Sequence, residues 1–137
     1  MTATYYKFNS FVENLAEKVH NLGSDTLTLA LTNTAPVATN TVLANITEVA
    51  YTYCSTRVVT VSASAQTSGV YKLTITSIVL TATGGDVGPF RYVVLYNDTA
   101  ASDELIMYYD LGSSVTITNG NTYSIGFSGT SGAFTIT

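Results

Sequence analysis

Apolar residues recur at two different spacings along the chain, and the change falls near Gly23. Before Gly23 the spacing is helical and predicts one α-helix from about Ser10 to Asn21. Ser10 and Glu13 match a capping box, and Gly23 is placed to end the helix. The apolar side of this helix would carry Phe8, Phe11, Val12, Leu15 and Val19.

After Gly23 the period becomes two, as in a β-strand, and it stays so to the end of the chain. The pattern predicts an all-β fold with one N-terminal α-helix, in which about eight strands form an antiparallel β-sandwich, jelly-roll-like or immunoglobulin-like, in a single domain over residues 1–137. The expected strand segments are 26–32, 57–62, 70–83, 90–96, 105–109, 115–117, 123–127 and 133–136.

The connections follow from turn-forming residues. Residues 36–44 are expected to be a loop with room for one helical turn, and the polar residues 64–69 to separate two strands. A shift in the apolar positions near Ser77 and Ile78 favours a bulge. Asn119-Gly120 lies between two alternating runs and predicts a β-hairpin, because a type I′ turn needs two positive φ angles.

The composition indicates that the surface has many hydroxyl groups and few charges. The chain has 24 threonines but only 5 basic and 9 acidic residues, with a net charge of −4. A soluble domain usually has about a quarter of its residues charged. Threonine is β-branched and suits a half-exposed sheet face. A β-rich chain with few charges is typical of a protein whose surface is covered by neighbouring proteins.

The same counts argue against several partners. The five basic residues are scattered along the chain, whereas phosphate recognition needs them clustered, so no nucleic acid is expected. There is no apolar segment of membrane length, so no membrane is expected either. The first eight residues lack the features of a secretory signal, which favours synthesis in a cytoplasm. Cys54 is the only cysteine and forms no disulfide within the chain.

Candidate chemistry is sparse. Nucleophilic catalysis would have to use Cys54 with His20, the only histidine, and a single residue of each type is a weak signal. An acidic group (Asp98, Asp103, Glu104 and Asp110) has no EF-hand spacing, so a solvated loop is favoured over a calcium site. No enzyme activity, catalytic residue, cofactor or metal is predicted.

The aromatic residues favour protein contacts. The chain has ten tyrosines and no tryptophan, and tyrosine is enriched at interfaces because its ring is apolar and its hydroxyl forms hydrogen bonds. Packing in the core or on an ordinary surface explains many of them equally well. The predicted interface residues are Tyr5, Tyr6, Phe8, Phe11, Tyr51 and Tyr53, and Tyr108 and Tyr109 are further candidates.

Three stretches together resemble a family of small virion structural proteins of tailed bacteriophages, which includes capsid decoration or cement proteins. They are residues 11–36, 46–49 (ITEV) and 89–112. The most distinctive part is RYVVLYNDT at 91–99 followed by DLG at 110–112. Where such sequences often have a glycine-rich stretch after the ITEV-like element, residues 50–58 contain no glycine.

This resemblance implies a capsid decoration protein that binds and stabilises a phage head. Its partners would be the major capsid protein and copies of itself, with a trimer as one candidate oligomer, and its location would be the virion. The alternatives are another virion position, such as a tail, neck or fibre subunit, and a host-surface glycan-binding module. Between Thr26 and Gln66 only Glu48 and Arg57 are charged. We therefore expect the contact surface in the N-terminal half and the region around residues 98–110 to face solvent.

Overall fold

A computed structural model describes residues 4–127 and 132–137. Within these ranges the chain forms nine β-strands, one α-helix and one short 3₁₀ helix. In chain order these are β1 (Thr4–Lys7), α1 (Ser10–Ala16), β2 (Leu27–Thr32), the 3₁₀ helix (Leu43–Asn45), β3 (Val61–Thr67), β4 (Val70–Ile75), β5 (Ile78–Thr81), β6 (Val87–Asn97), β7 (Leu105–Ile117), β8 (Thr122–Ile125) and β9 (Phe134–Ile136).

The strands form three antiparallel sheets. The largest has four strands in the order β1-β7-β6-β2, a second has the order β3-β4-β9, and the third pairs β5 with β8. This arrangement confirms the predicted all-β, sandwich-like fold with one N-terminal helix. The expected strand segment 90–96 falls within β6, which is a central strand because it lies between β7 and β2.

Apolar side chains cover both faces of the four-stranded sheet. On one face, Leu29 and Leu95 join a main core with residues from the two smaller sheets, such as Leu73 and Leu80. On the other face a smaller cluster is closed by the chain around the 3₁₀ helix, and its members are Phe8, Ala30, Ile46, Val94, Tyr96 and Leu105. Burial on both faces accounts for the continuous apolar runs of β6 and β7.

The helix is shorter than its predicted span of 10–21, and the predicted capping box is wrong. Asn9 is the N-cap, no side chain caps the helix, and the Ser10 hydroxyl is buried without a partner among the described residues. The helix ends after Ala16, and Lys18 has a positive φ of 70°, which helical backbone does not allow. Gly23 therefore does not end the helix, and of the predicted apolar positions within it only Phe11 is fully buried.

Several strand boundaries also differ from the prediction. The polar residues 64–67, expected in a loop, belong to β3, and Ser68 and Gly69 form its turn to β4. The predicted bulge near Ser77 is instead the point where the chain leaves one sheet for another. Asn119-Gly120 does form a turn, but β8 pairs with β5 rather than with β7, so the hairpin prediction is wrong.

Strand β2 is buried at all six positions, including its two threonines. The alternation of leucine and threonine indicated a strand with one half-exposed face, and the structure buries that face under the chain around Ile46. The low charge of residues 26–32 is therefore a consequence of burial. The charge-poor surface that remains extends from about residue 33 to residue 70.

Candidate interaction surface

Strand β1 places two predicted interface residues at the edge of the four-stranded sheet. Tyr5 is 42% exposed and Tyr6 is 44% exposed, and Lys7 beside them is also exposed. Among the described residues β1 is paired on one side only, with β7. Next to Tyr5 lies a groove of about 420 Å³ that reaches α1 at Val12 and the end of the chain at Thr137. The edge thus offers exposed aromatic surface beside a shallow depression.

The outer face of this sheet has a tyrosine cluster, formed by Tyr6, Tyr92 and Tyr108. The rings of Tyr6 and Tyr108 stack with centroids 5.0 Å apart, and Tyr92 meets Tyr108 edge-on at 6.3 Å. Beside the cluster the Arg91 guanidinium donates two hydrogen bonds to Asp110, at 2.8 and 3.1 Å. Cross-strand pairing explains the ring contacts, because Tyr6 lies directly opposite Tyr108 in the sheet.

The Tyr108 phenol in this cluster is a neutral hydrogen-bonding group. Burial and the neighbouring Tyr6, Tyr92 and Asp110 raise the pKa of Tyr108 above its usual value. On the opposite face of the sheet, burial raises the pKa of Tyr109 to about 12. Asp110 has the opposite behaviour, since hydrogen bonds from Arg91 and from the Gly112 amide lower its pKa. The cluster therefore presents hydroxyls together with a paired acid and base.

The two phenylalanines of the predicted interface lie inside the protein. Phe8 is 0% exposed in the smaller cluster, and Phe11 is 4% exposed in the main core, edge-on to Phe134 at 5.5 Å. Their role in this structure is to hold β1 and α1 against the sheet, and neither ring has exposed area for a partner. Helical spacing alone did not distinguish these buried rings from an exposed contact stripe.

Tyr51 is fixed by its neighbours. Its hydroxyl donates to Glu48 at 2.7 Å and accepts the Leu31 amide at 2.9 Å, while the Arg57 guanidinium lies 3.5 Å from the ring centroid. Glu48 and Arg57 are the only charged residues between Thr26 and Gln66. Both contact Tyr51, Glu48 at its hydroxyl and Arg57 over its ring. The charge-poor segment therefore has its two charges engaged locally.

Tyr53, by contrast, is 43% exposed and covers the turn at Gly84 and Gly85. A Cβ added at Gly85 would collide with the Tyr53 ring. The glycine-rich stretch 84–88 thus makes room for an exposed aromatic ring. The prediction that Tyr5, Tyr6, Tyr51 and Tyr53 contact a partner stays a prediction.

His20 is part of a buried polar network. The Asn97 side-chain oxygen accepts the amides of Thr99 and Ala100, so its nitrogen faces the other way. That nitrogen donates to Asp25 at 2.7 Å and to Nδ1 of His20 at 3.0 Å. Nδ1 must therefore be unprotonated, and the imidazole is neutral with its proton on Nε2. Burial lowers the pKa of His20, and the nearby carboxylates of Glu104 and Asp25 oppose that shift.

Cys54 has different surroundings, opposite Ala82 at the end of β5 and against the main core. Burial raises the pKa of its thiol, and Arg57 opposes that shift. A catalytic cysteine needs a lowered pKa, so these surroundings do not activate it. His20 and Cys54 have no neighbour in common among these contacts.

The acidic group predicted around residues 98–110 is divided. Asp110 pairs with Arg91, whereas Glu104 accepts the Ser102 amide at 3.2 Å and Asp98 accepts the Thr28 hydroxyl at 3.3 Å. Burial and the charges of Asp98 and Glu104 raise the pKa of Asp103. Within residues 4–127 and 132–137, no three His, Cys, Asp or Glu side chains are placed to hold a metal ion.

Strand β3 is the part of this surface that the sequence did not reveal. Its residues 62–67 (SASAQT) are all exposed, on both faces of the strand, and none is charged. Of the described strands, β4 alone pairs with it. The sequence feature that could have indicated this hairpin is the Ser68-Gly69 pair. In the structure both residues have positive φ angles, 52° and 82°, as a two-residue hairpin turn requires.

None of the helices in the described part of the chain is long and apolar enough to cross a membrane. Comparisons with family models, with curated proteins and with solved structures gave no match to this chain. The surface described above and the sequence resemblance are thus the basis for a functional proposal.

Proposed function

We propose that this protein is a bacteriophage capsid decoration protein, which binds the outside of the head and stabilises contacts between capsid subunits. The observation that carries the proposal is the neutral surface from about residue 33 to residue 70. Its two charges, Glu48 and Arg57, both contact Tyr51, and its β3 strand is exposed on both faces. The sequence resemblance to small phage virion proteins supplies the setting.

A neutral surface suits permanent attachment to another protein. Burying a charged group costs several kcal/mol unless it is paired, whereas a hydroxyl that finds a hydrogen bond costs little. Exposed valines, including Val37 at 54% and Val58 at 45%, add apolar area to this segment. The partners in this proposal are the major capsid protein and further copies of the chain, and the location is the assembled virion.

The test is to add purified protein to capsids that lack it and to measure binding and resistance to heat and osmotic shock. We expect saturable binding and increased resistance. If the protein does not bind and such capsids are equally resistant without it, the proposal fails. Localisation by electron microscopy separates a head position from a tail, neck or fibre position.

A matched pair of variants tests the assigned surface. Val37 lies in the neutral segment and Val79 lies in β5, and each is 54% exposed. We expect Val37→Glu to weaken capsid binding, because the new carboxylate would be desolvated in the contact, and Val79→Glu to bind like the wild type. Equal binding by both variants would indicate that the capsid contact lies outside the neutral segment.

One observation favours a second candidate, a glycan-binding module. In the tyrosine cluster, rings that can stack on a sugar lie beside Arg91 and Asp110, whose polar atoms can bond sugar hydroxyls. A glycan array with wild-type protein and Tyr92→Ala is the corresponding test, with Tyr71→Ala as the control in another sheet. Specific signals that only Tyr92→Ala abolishes would favour this function over decoration.

A further inference from the structure

Strand β3 has an unprotected edge. The edges of natural sheets are usually protected by charged residues, by proline, by bulges or by a covering segment, because unpaired backbone groups invite another strand. Residues 61–67 (VSASAQT) contain neither a charge nor a proline. The single irregularity lies between Val61 and Ala63 at the start of the strand, which leaves the rest regular.

Strand β2, which is also uncharged and at the edge of a sheet, is protected. The outer edge of β2 is covered by the following loops: the Leu29 amide donates to Arg57, the Val59 amide to Leu27, and the Val49 amide to Leu31, at 2.9–3.0 Å. At the opposite end of the same sheet, β1 is only four residues long and contains Lys7. Strand β3 has no charge, and no described segment other than β4 pairs with it.

The turn geometry shows which backbone groups of β3 face outward. Thr67 and Val70 flank a two-residue turn and are partners in the ladder. In an antiparallel ladder the backbone groups of successive residues point alternately to the two sides. Those of Thr67 and Ala65 therefore face β4, while the N–H and C=O groups of Ser64 and Gln66 face away from it.

We propose that the β3 edge pairs antiparallel with the β3 edge of a second copy of this chain, joining the two three-stranded sheets into one. Pairing centred on Ala65 places Ser64 of each copy opposite Gln66 of the other, which forms about four backbone hydrogen bonds. In a two-fold interface of this kind, β3 of one copy contacts β3 of the other, so the interface is self-complementary. Because the strand has no charged residue, like charges do not meet across it. Small neutral side chains on both faces leave room for the second strand.

A single strand pair buries less area than a standard stable interface, so the dimer in solution is weak and depends on protein concentration. This inference goes beyond the proposed function, because it requires no capsid. Native mass measured over a wide concentration range should rise from the monomer toward the dimer. Ser64→Lys and Gln66→Lys together should hold the mass at the monomer, since the pairing brings these lysines face to face across the two-fold axis.

Cross-linking tests the register directly. Residues in a non-hydrogen-bonded pair have Cα atoms about 4.5 Å apart, which is within disulfide range, and Ala65 would meet its own copy at such a pair. In a Cys54→Ser background, mild oxidation should link Ala65→Cys into a dimer. Ser124→Cys, an exposed position in β8, is the matched control and should remain monomeric.

Two results overturn the inference. One is a monomeric mass at every concentration together with equal cross-linking of the two cysteine variants. The other is an oligomer, such as a trimer, whose mass the paired lysine substitutions do not change. A protein that stays monomeric but binds capsids would contradict β3 pairing and support the decoration proposal. A β3-linked dimer that does not bind capsids would support β3 pairing and contradict the decoration proposal. Unfolding midpoints close to that of the wild type show that the variants fold.

Discussion

Strands β2 and β3 have similar composition and opposite environments. Both are uncharged, and both contain several hydroxyl or small residues, LTLALT in β2 and VSASAQT in β3. All six residues of β2 are buried, whereas six of the seven residues of β3 are exposed. A run of neutral polar residues therefore has two meanings: in β2 it is compatible with the interior of the protein, and in β3 it forms a bare surface.

The difference lies in what satisfies the hydroxyl groups. In β2 the buried Thr32 hydroxyl donates to the Thr47 carbonyl at 2.5 Å and accepts the Thr34 amide at 3.1 Å. In β3 the Ser64 hydroxyl forms a hydrogen bond with the Tyr71 hydroxyl at 2.8 Å, in an exposed position. Because a satisfied hydroxyl costs little to bury, threonine allows β2 to be covered on both faces. Within the described residues, no segment covers β3 as the loops cover β2.

The largest expected effect is on the core side of β2. Leu29 is 0% exposed, so Leu29→Ala should lower the free energy of unfolding by about 3 kcal/mol through lost burial and a residual cavity. Denaturant unfolding measures the change. Val70→Ala in the β3–β4 hairpin, where the side chain is 37% exposed, is the comparison and should cost below about 1 kcal/mol. Equal losses would contradict the assigned difference in burial.

Thr32→Val tests the buried hydroxyl. Valine has nearly the same shape but leaves the Thr34 amide and the Thr47 carbonyl without this partner, which should cost about 2 kcal/mol. The matched substitution in β3 is Thr67→Val, whose side chain is exposed, and it should change stability by less than about 0.5 kcal/mol. A neutral effect of Thr32→Val would mean that shape rather than hydrogen bonding keeps threonine at this position.

The sequence was sufficient where hydrophobic patterns are long. The apolar runs in β2, β6 and the first part of β7 predicted strands there and the sandwich-like class, because burial on two faces leaves a strong signal. The segments 105–109 and 115–117 were expected to be two strands, however, and the structure joins them in the single strand β7. Strand β3 was only partly predicted, since alternating serine and alanine give no hydrophobic contrast. The partners of β5 and β8 could not be predicted either, because 40 residues separate the two strands and the Asn119-Gly120 turn favoured a local hairpin.

The candidate surface was predicted to a similar extent. Tyrosine composition pointed to Tyr5, Tyr6 and Tyr53, which are exposed, but it did not distinguish them from the buried Phe8 and Phe11. Exposure depends on which element covers a ring, and that is a property of the tertiary structure. For the same reason, the shortage of charge in residues 26–66 did not separate the interior strand β2 from the exposed strand β3.

The network at the start of β2 should make stability depend on pH. Asn97 pairs with Leu27 in the sheet and donates to the neutral His20. Burial holds the pKa of His20 below the unfolded value of 6.5. As pH falls below 6.5, the unfolded chain binds a proton that the folded protein resists, so the free energy of unfolding falls by up to about 1.4 kcal/mol per pH unit until the folded pKa is reached.

The measurement is unfolding at a series of pH values for the wild type and for His20→Asn, whose amide oxygen can accept the Asn97 hydrogen bond. The variant should lose the slope just below pH 6.5, while the wild type keeps it. Above that pH the two slopes should agree, because both side chains are then neutral. Identical slopes over the whole range would assign the pH dependence to other groups.

The smallest effect concerns the turn that closes β3 onto β4. Gly69 has a φ of 82°, and a Cβ there would meet nothing within 4 Å, so Gly69→Ala has only a conformational cost, of about 1 kcal/mol. Gly126→Ala is the control, because the structure gives Gly126 no positive φ and the added Cβ makes ordinary contact with Ser77 at 3.5 Å. Leu73 and Ile75 anchor β4 in the main core, so the cost of Gly69→Ala should lower global unfolding stability in full. If hydrogen exchange shows local opening of β3 with the global midpoint unchanged, then β3 is a separate unit from β2 in stability as well as in exposure.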